Sequence, residues 1–332
     1  MKFHSFNQLP LYTDDFFFRE MGSNSSEKAI VIFNPPEATI ISPVFLRSRK
    51  SLAEHIDFIR QNNYKKAIIV AEDIHFLSQC PSLESLMIFP AISAENFDYS
   101  PLYKLPNLKW LQCETMYGLR AMYDVDEPLK TTSIDYRQIE GLKRLQVGNP
   151  EGHLHVRDLE NLTALSFYEG GPKSENLRNE LPGKSLLSLK LILSPLRSLD
   201  GIEEAPLMQR LELSYNRRLT DISALRHLKN SLRYLEIEAC GKIQEFSVLA
   251  ELHCLEYLIL KGSNVLPDLA FLKALPKLKV LDVQMDVADG DLSLCTKLPY
   301  ARVKNRRHFS HKDDELPKNY SDPDYDIPFE VT

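Results

Sequence analysis

A few residue groups in this 332-residue chain have types and spacings that are compatible with catalysis. Gly183–Ser185 matches the last three residues of a phosphate-binding loop, but that motif also needs glycine at position 178, where the chain has Arg178. Glu236 and Glu238 lie two residues apart, so on a strand they would form a carboxylate pair on one face. An open sheet offers no water-excluding cleft that would separate the pKa values of such a pair. We therefore expect neither group to be catalytic.

Two histidine pairs have the spacing of metal ligands. His153 is followed by His155, and His308 is followed by His311. A structural metal site usually needs four protein ligands, and neither pair has a convincing third ligand in register. The sequence therefore predicts no metal site, no cofactor and no enzyme activity.

The five cysteines form no Cys-x-x-Cys motif. An odd number of cysteines without such spacing is typical of reduced thiols in the core of a cytosolic protein. Four fall on positions that the repeat pattern below predicts to be inward, and the fifth lies beside one; they are Cys80, Cys113, Cys240, Cys295 and Cys254.

The elements that position these residues are repeats. Between residues 199 and 286, four copies fit apolar-x-x-Leu-x-apolar-x-x-(Asn, Cys or a small or polar residue), and their starts are 24, 23 and 23 residues apart (232−208, 255−232, 278−255). The copies are Met208–Asn216, Leu232–Cys240, Leu255–Ser263 and Leu278–Asp286. Between them a second pattern repeats, as in Asp221–Leu228, with apolar residues spaced by three. A strand followed by a short helical return has this pattern.

Looser copies extend the pattern towards the N-terminus. Their cores start at Leu83, Leu108, Leu142, Leu162 and Leu186, with an imperfect first copy at about Tyr64. We expect an N-terminal cap over residues 1–63, with strands at Lys28–Phe33 and Ala38–Phe45 and a helix over 51–62 that starts with a capping box of Ser51 and Glu54. About ten repeats then cover 64–305, and a C-terminal cap and tail covers 306–332. The 34-residue step between Leu108 and Leu142 predicts an insertion near 116–130.

The Leu-x-x-Leu-x-Leu-x-x-Asn core followed by Asp-Ile-x-x-Leu-x-x-Leu, best met by Met208–Leu228, resembles leucine-rich repeats. The 22–24-residue copies are similar to the bacterial-type repeats of internalin-like and phosphatase-regulatory proteins. The resemblance implies an α/β solenoid, a leucine-rich repeat horseshoe with a concave parallel β-sheet and short helical or 3-10 convex segments. It also implies binding of a protein partner on the concave sheet.

Strand alternation identifies the side chains of that face, because the leucines point inward and the residues between them point outward. Aromatic, methionine and charged residues are common there, which is typical of protein interfaces. The candidate binding residues are Met87, Phe89, Trp110, Tyr168, Ile192, Glu212, Tyr234, Glu236, Glu238, Tyr257, Ile259 and Asp282. The register predicts Trp110 partly exposed and Leu111 buried. The insertion, with Tyr117 and Tyr123, is an alternative binding surface.

The net charge and the hydropathy of the chain argue against some kinds of binding partner. The net charge of −6 argues against nucleic-acid binding, and no apolar run is long enough to cross a membrane. The N-terminus lacks the pattern of a secretory signal, so we expect a cytoplasmic, non-enzymatic protein-protein interaction module. Acidic residues outnumber Arg210 and Lys261 on the C-terminal concave face, which favours a partner with a basic patch. Alternatives are a bacterial immunity-type inhibitor of a toxin and a delivered effector with a leucine-rich repeat recognition domain.

Overall fold

The computed structural model describes residues 12–21, 28–34, 47–91, 94, 96–113, 130–148, 152–168 and 174–320. Three parts of the chain singled out above lie outside these residues. They are the strand expected at 38–45, the insertion with Tyr117 and Tyr123, and the tail from residue 321. Contacts divide the chain into two compact units, Met1–Gln146 with Glu151–His155, and Val147–Pro150 with Val156–Thr332.

The described part of the first unit contains short strands and one α-helix. Its strands are β1 (Tyr12–Thr13), β2 (Phe18–Arg19), β3 (Ala29–Asn34), β4 (Arg47–Ser48), β5 (Lys66–Ala71), β6 (Ser85–Pro90), β7 (Asn96–Phe97), β8 (Trp110–Cys113), β9 (Lys130–Thr131), β10 (Ile134–Asp135), β11 (Arg144–Val147, whose last residue belongs to the second unit) and β12 (His153–Leu154). The repeat sheet runs in the order β2-β3-β5-β6-β8-β11. β2 is antiparallel to β3, and the pairs from β3 to β8 are parallel.

The helix of this unit is α1 (Leu52–Gln61), within the predicted 51–62. The Ser51 side chain accepts a hydrogen bond from the Glu54 backbone N–H at 3.2 Å, and the Glu54 carboxylate accepts from the Ser51 N–H at 2.8 Å. This is the capping box that the sequence predicted. The helix buries Ile56 and Ile59. The repeat sheet starts before Tyr64, because β3 pairs in parallel with β5.

The second unit contains the regular repeats. Its strands are β13 (Ala164–Tyr168), β14 (Ser188–Ile192), β15 (Arg210–Ser214), β16 (Tyr234–Glu238), β17 (Tyr257–Lys261), β18 (Val265–Leu266), β19 (Val280–Val283), β20 (Asp286–Val287) and β21 (Tyr300–Val303). The sheet order is β13-β14-β15-β16-β17-β19-β21, with every pair parallel. Strand β21 lies at the end of the predicted repeat range 64–305 and pairs with β19, although Lys304 follows it where the pattern has a leucine.

The returns between strands are 3-10 helices, as the leucine-rich repeat pattern allows. They cover His75–Gln79, Ser100–Lys104, Tyr136–Gln138, Val156–Asp158, Ile202–Glu204, Ser223–Leu228, Ser247–Glu251, Ala270–Ala274, Cys295–Lys297 and Asp313–Glu315. The leucines of each strand form the core, and Leu211, Leu213 and Leu258 are fully buried. The predicted fold class, a leucine-rich repeat solenoid, is confirmed.

The asparagine of the best repeat is a structural residue. Asn216 is 1% exposed, its Oδ1 accepts a hydrogen bond from the Ser194 N–H at 2.7 Å, and its Nδ2 donates to the Leu191 carbonyl at 3.0 Å. These bonds satisfy backbone groups that repeat stacking removes from water. One repeat later Cys240 occupies the same position, and its Sγ donates to the Leu213 carbonyl at 3.5 Å.

Candidate functional site

The outward face of the second-unit sheet, opposite the leucine core, is organised in three rows that run across the strands. Strand register defines them. The first row is Ser188, Arg210, Tyr234, Tyr257, Val280 and Tyr300. The second row is Lys190, Glu212, Glu236, Ile259, Asp282 and Arg302. The third row is Tyr168, Ile192, Ser214, Glu238 and Lys261. The predicted candidates from Tyr168 to Asp282 therefore do point to this face.

The acidic residues of the second row are paired with cations of the same strand or of a neighbouring strand. Glu212 lies 2.7 Å from the Lys190 ammonium and 2.6 Å from the Arg210 guanidinium. Burial raises the pKa of Glu212, but the charges of Arg210 and Lys190 more than offset it, so the net pKa is below that of an ordinary glutamate. Glu236 accepts hydrogen bonds from Lys261 at 2.9 Å and from the Tyr234 hydroxyl at 2.8 Å.

Asp282 completes the row of paired acids. It accepts hydrogen bonds from Gln284 at 2.6 Å and from the Arg302 Nε at 3.1 Å. The expected acidic surplus of this half of the face is therefore wrong. Lys190 and Arg302, one strand away from the acids they neutralise, were not counted with Arg210 and Lys261. The four carboxylates Glu212, Glu236, Glu238 and Asp282 meet four cations on the same face.

Part of the predicted binding surface is buried, which corrects the expectation of exposure. Tyr234, Ile259 and Asp282 are 0% exposed, and Tyr257 and Glu212 are each 8% exposed. Alternation fixes the direction in which a side chain leaves the strand, but not what lies over it. The Arg210 guanidinium lies 4.0 Å from the Tyr234 ring centroid, and Tyr320 packs edge-on against Tyr257 with ring centroids 5.9 Å apart.

The accessible apolar part of the face lies where strands β13 to β15 end. Tyr168 is 38% exposed, and Ile192 beside it is half-buried. Leu193 and Tyr215 directly follow β14 and β15, and they are 37% and 45% exposed. The Tyr215 hydroxyl donates to the Glu238 carboxylate at 3.2 Å. We call Tyr168, Ile192, Leu193 and Tyr215 the rim patch.

Leu193 and Tyr215 adopt left-handed backbone conformations, with φ of 54° and 57°. Large side chains rarely adopt this conformation, which costs about 1–2 kcal/mol per residue. Ala239 follows β16 in the same way at φ 52°, and Gly262 follows β17 at φ 153°. Sequence reasoning missed Leu193 and Tyr215. Glycine at the eighth position of the Leu255–Ser263 copy was the available signal, because glycine commonly marks a positive φ.

The first unit carries a separate apolar cluster on the outward face of its sheet. Met87, Phe89 and Trp110 are half-buried and pack with Phe17 against a buried base that includes Val31 and Ile68. The prediction for Trp110 and Leu111 is confirmed, because Trp110 is partly exposed and Leu111 is 0% exposed.

The histidines considered as metal ligands make hydrogen bonds within the fold. The His153 Nδ1 hydrogen-bonds to the Tyr136 hydroxyl at 2.7 Å, and burial lowers the pKa of His153 to about 4. The His308 Nε2 donates to the Val287 carbonyl at 2.9 Å and lies 3.4 Å from the Asp286 carboxylate. Within the described ranges, no group of three or more His, Cys, Asp or Glu residues could hold a metal ion.

Most of the cysteines are core residues. Cys80, Cys113, Cys240 and Cys295 are buried and free, as predicted, and Cys254 is half-buried. Burial raises the pKa of Cys80 and of Cys240 to about 11 and that of Cys295 to about 12. Since the thiolate is the reactive form, these groups are poor nucleophiles.

The strands, the 3-10 returns and the buried asparagine define a leucine-rich repeat fold. No protein-family model and no curated protein matches the chain. Among solved structures it is similar to an internalin (InlF) of Listeria monocytogenes, with 16% sequence identity and a TM-score of 0.43 over 83% of this chain and 76% of the internalin chain. It is also similar to internalin C2 of the same organism, with 20% identity and a TM-score of 0.40 over 59% of this chain and 88% of that one.

A leucine-rich repeat protein of Leptospira interrogans shares 18% identity, with a TM-score of 0.35 over 70% of this chain and 75% of that one. At such identities the comparison concerns the fold alone, and the binding surfaces below are argued from the residues of this chain. Among the described residues, no helix is both long enough and apolar enough to span a membrane.

Proposed function

We propose that this chain is a non-enzymatic protein-interaction module that binds a protein partner on the outward face of its repeat sheet. The observation that carries the proposal is the rim patch. Tyr168, Leu193 and Tyr215 are large and exposed and lie at the ends of three consecutive strands, and half-buried Ile192 pairs with Tyr168. Grouped tyrosine and aliphatic side chains at a surface are the usual anchors of protein interfaces.

The backbone supports this proposal. Leu193 and Tyr215 adopt positive φ at a cost in free energy that a glycine would avoid. In this conformation both side chains are exposed to solvent. The backbone N–H of Ser194, which follows Leu193, donates a hydrogen bond to the Oδ1 of buried Asn216, so the turn after β14 is fixed by the core. A preordered apolar patch loses little conformational entropy when a partner binds.

Charge adds specificity but gives no preference for a basic partner. The acids of the second row are satisfied by Lys190, Arg210, Lys261 and Arg302, so an incoming cation would compete with existing pairs. The basic patch expected on the partner therefore does not form part of this proposal. In the first unit, Met87, Phe89 and Trp110 form a second candidate surface.

The test is affinity capture from the native host with a Leu193→Ser, Tyr215→Ser double variant. The matched control is Leu207→Ser, Val265→Ser, because Leu207 and Val265 are each 55% exposed and lie outside the outward rows. Both variants should melt like the parent chain. We expect a protein that the parent and the control retain and the rim variant loses, with the affinity difference then measured by calorimetry.

Retention by the rim variant together with loss by Trp110→Ser would place the interface in the first unit instead. Retention by all variants would contradict the proposal. The identity of a captured protein also separates the remaining alternatives. A toxin would favour the immunity-type inhibitor, and a protein of another organism would favour the delivered effector.

A further inference from the structure

A depression of about 400 Å³ lies where strands β14 to β17 begin, at the opposite strand ends from the rim patch. It is lined by the residues that directly precede these four strands, which are Leu187, Gln209, Arg233 and Glu256. Backbone hydrogen bonds of 2.8 Å join these residues in a ladder, in which each N–H donates to the carbonyl one repeat earlier. The stacking of the repeats therefore fixes the positions of these residues, and we call the depression the strand-start pocket.

The acid of this pocket is buried and held by two cations. Glu256 is 8% exposed, and its carboxylate lies 2.6 Å from the Arg233 Nε and 2.6 Å from the Lys279 Nζ. Burial raises the pKa of Glu256, but the hydrogen bonds from Arg233 and Lys279 more than offset it, so the net pKa is below that of an ordinary glutamate. The ionised Glu256 therefore holds two cations in place whose side chains remain 46% exposed.

A third cation gives the pocket a surplus of positive charge. The Lys277 Nζ lies 3.6 Å from the Cys254 Sγ, and no carboxylate in the part of the chain that the structure describes lies within ion-pair distance of it. Glu256 is the only acid among the described residues that line the pocket. Arg233, Lys277 and Lys279 thus supply three positive charges against one negative charge. Arginine has five N–H donors, and the bond to Glu256 uses one of those of Arg233.

This surplus is local, because the whole chain has a net charge of −6 and repels anions at long range. The amides of Gln209 and Asn230 add neutral hydrogen-bond donors, and Leu187 adds an apolar wall beside which the aliphatic stem of a glutamate can pack. Cations that are already in position lose little conformational entropy on binding, and hydrogen bonds between arginine and a carboxylate are among the strong ones.

We propose that the strand-start pocket binds a carboxylate side chain of an acidic peptide segment, with Arg233 and Lys277 as the residues that contact it. This inference goes beyond the proposed function, because it concerns a second surface at the other ends of the strands and a ligand of different chemistry. Preformed cation clusters are a known means of recognising acidic motifs.

Cys254 provides the test with a reporter inside the pocket. It lines the pocket and is half-buried, whereas the other four cysteines are buried. The measurement is the rate at which N-ethylmaleimide alkylates Cys254, read by mass spectrometry, with an acetylated and amidated hexaglutamate peptide or with hexaglutamine as the matched control. Hexaglutamate at twice its Kd should slow alkylation about threefold, and hexaglutamine should not. Salt at about 0.5 M should weaken the protection.

Three variants assign the effect to the pocket, each compared with its own rate without peptide. Lys277→Gln breaks no ion pair and should remove most of the protection. Lys242→Gln, the same charge change at an exposed site after the end of β16, should leave it unchanged. Glu256→Gln should increase it, because the competing acid is gone and Arg233 is released. A gain in binding cannot result from misfolding, and the four buried cysteines, unlabelled in a folded chain, check the fold of every variant.

Equal alkylation rates with the two peptides would overturn the proposal, and so would protection that Lys277→Gln leaves intact. Equal protection by inorganic phosphate at the same concentration would identify a site for small anions and would overturn the peptide ligand. The Leu193→Ser, Tyr215→Ser rim variant should be protected like the parent chain. The readout uses no partner from the host, so its failure is distinct from a failure of the proposed function.

Discussion

Replacing Asn216 by alanine should destabilise the second unit strongly. The substitution removes the acceptor of the Ser194 N–H and the donor to the Leu191 carbonyl, both buried. A buried backbone group left without a partner costs about 1–3 kcal/mol, so the free energy of unfolding should fall by about 3–4 kcal/mol after partial relaxation. Urea unfolding followed by circular dichroism measures the change through the midpoint concentration.

Two matched variants sharpen this prediction. Asn216→Cys copies the residue that the next repeat has at this position, where the Cys240 Sγ donates to a carbonyl but cannot replace the second bond. Asn216→Cys should therefore lower the free energy of unfolding by about half as much as Asn216→Ala. Asn230→Ala, at an exposed site of the same unit, should change stability by less than about 0.5 kcal/mol. An Asn216→Ala protein that unfolds at the wild-type urea midpoint would refute the structural role of this side chain.

Three further predictions concern backbone and charge. Gly201→Ala should lower the free energy of unfolding by roughly 3 kcal/mol or more, because the new Cβ would lie 2.3 Å from the Arg178 N. Gly183→Ala, at a similar φ but with no atom within 4 Å of the new Cβ, should lower it by about 1 kcal/mol. Equal melting temperatures of the two variants would contradict this. The pKa of His153 is about 4 in the folded chain and about 6.5 in the unfolded chain, so unfolding in this pH range binds a proton. Stability should therefore fall as pH drops from about 6.5 towards 4. Thermal melts of His153→Phe should show a weaker dependence on pH. The pKa of Glu212 is lowered in the folded chain, so its contribution to stability is present above the ordinary glutamate pKa of about 4.3 and is lost as pH falls through the lower pKa of the folded state. Acid unfolding of Glu212→Gln at the same pH as the parent chain would argue against this contribution.

The repeat register was predictable because it depends on local chemistry. Alternation within each Leu-x-Leu core fixed which side chains face the core, so the burial of Leu111 and the partial exposure of Trp110 followed directly. The capping box at Ser51 followed in the same way, since its two partners are three residues apart.

The charge and the exposure of the outward face were not predictable from the same pattern. The neutralisation of Glu212 depends on Lys190, a residue 22 positions away that strand register brings alongside (212−190). The burial of Tyr257 depends on Tyr320, 63 positions along the chain. Such long-range neighbours carry no signal in the local sequence, so a surface read from alternation alone overstated both its charge and its exposure.

The left-handed residues that follow the four strands β14 to β17 have an evolutionary consequence. Leu193, Tyr215, Ala239 and Gly262 occupy equivalent positions with four different side chains, while the leucines beneath them keep the same role. The side chains displayed at these positions are thereby independent of the buried core. Single substitutions at these sites change what the protein displays without altering its core, so new specificities can arise on an unchanged scaffold one residue at a time.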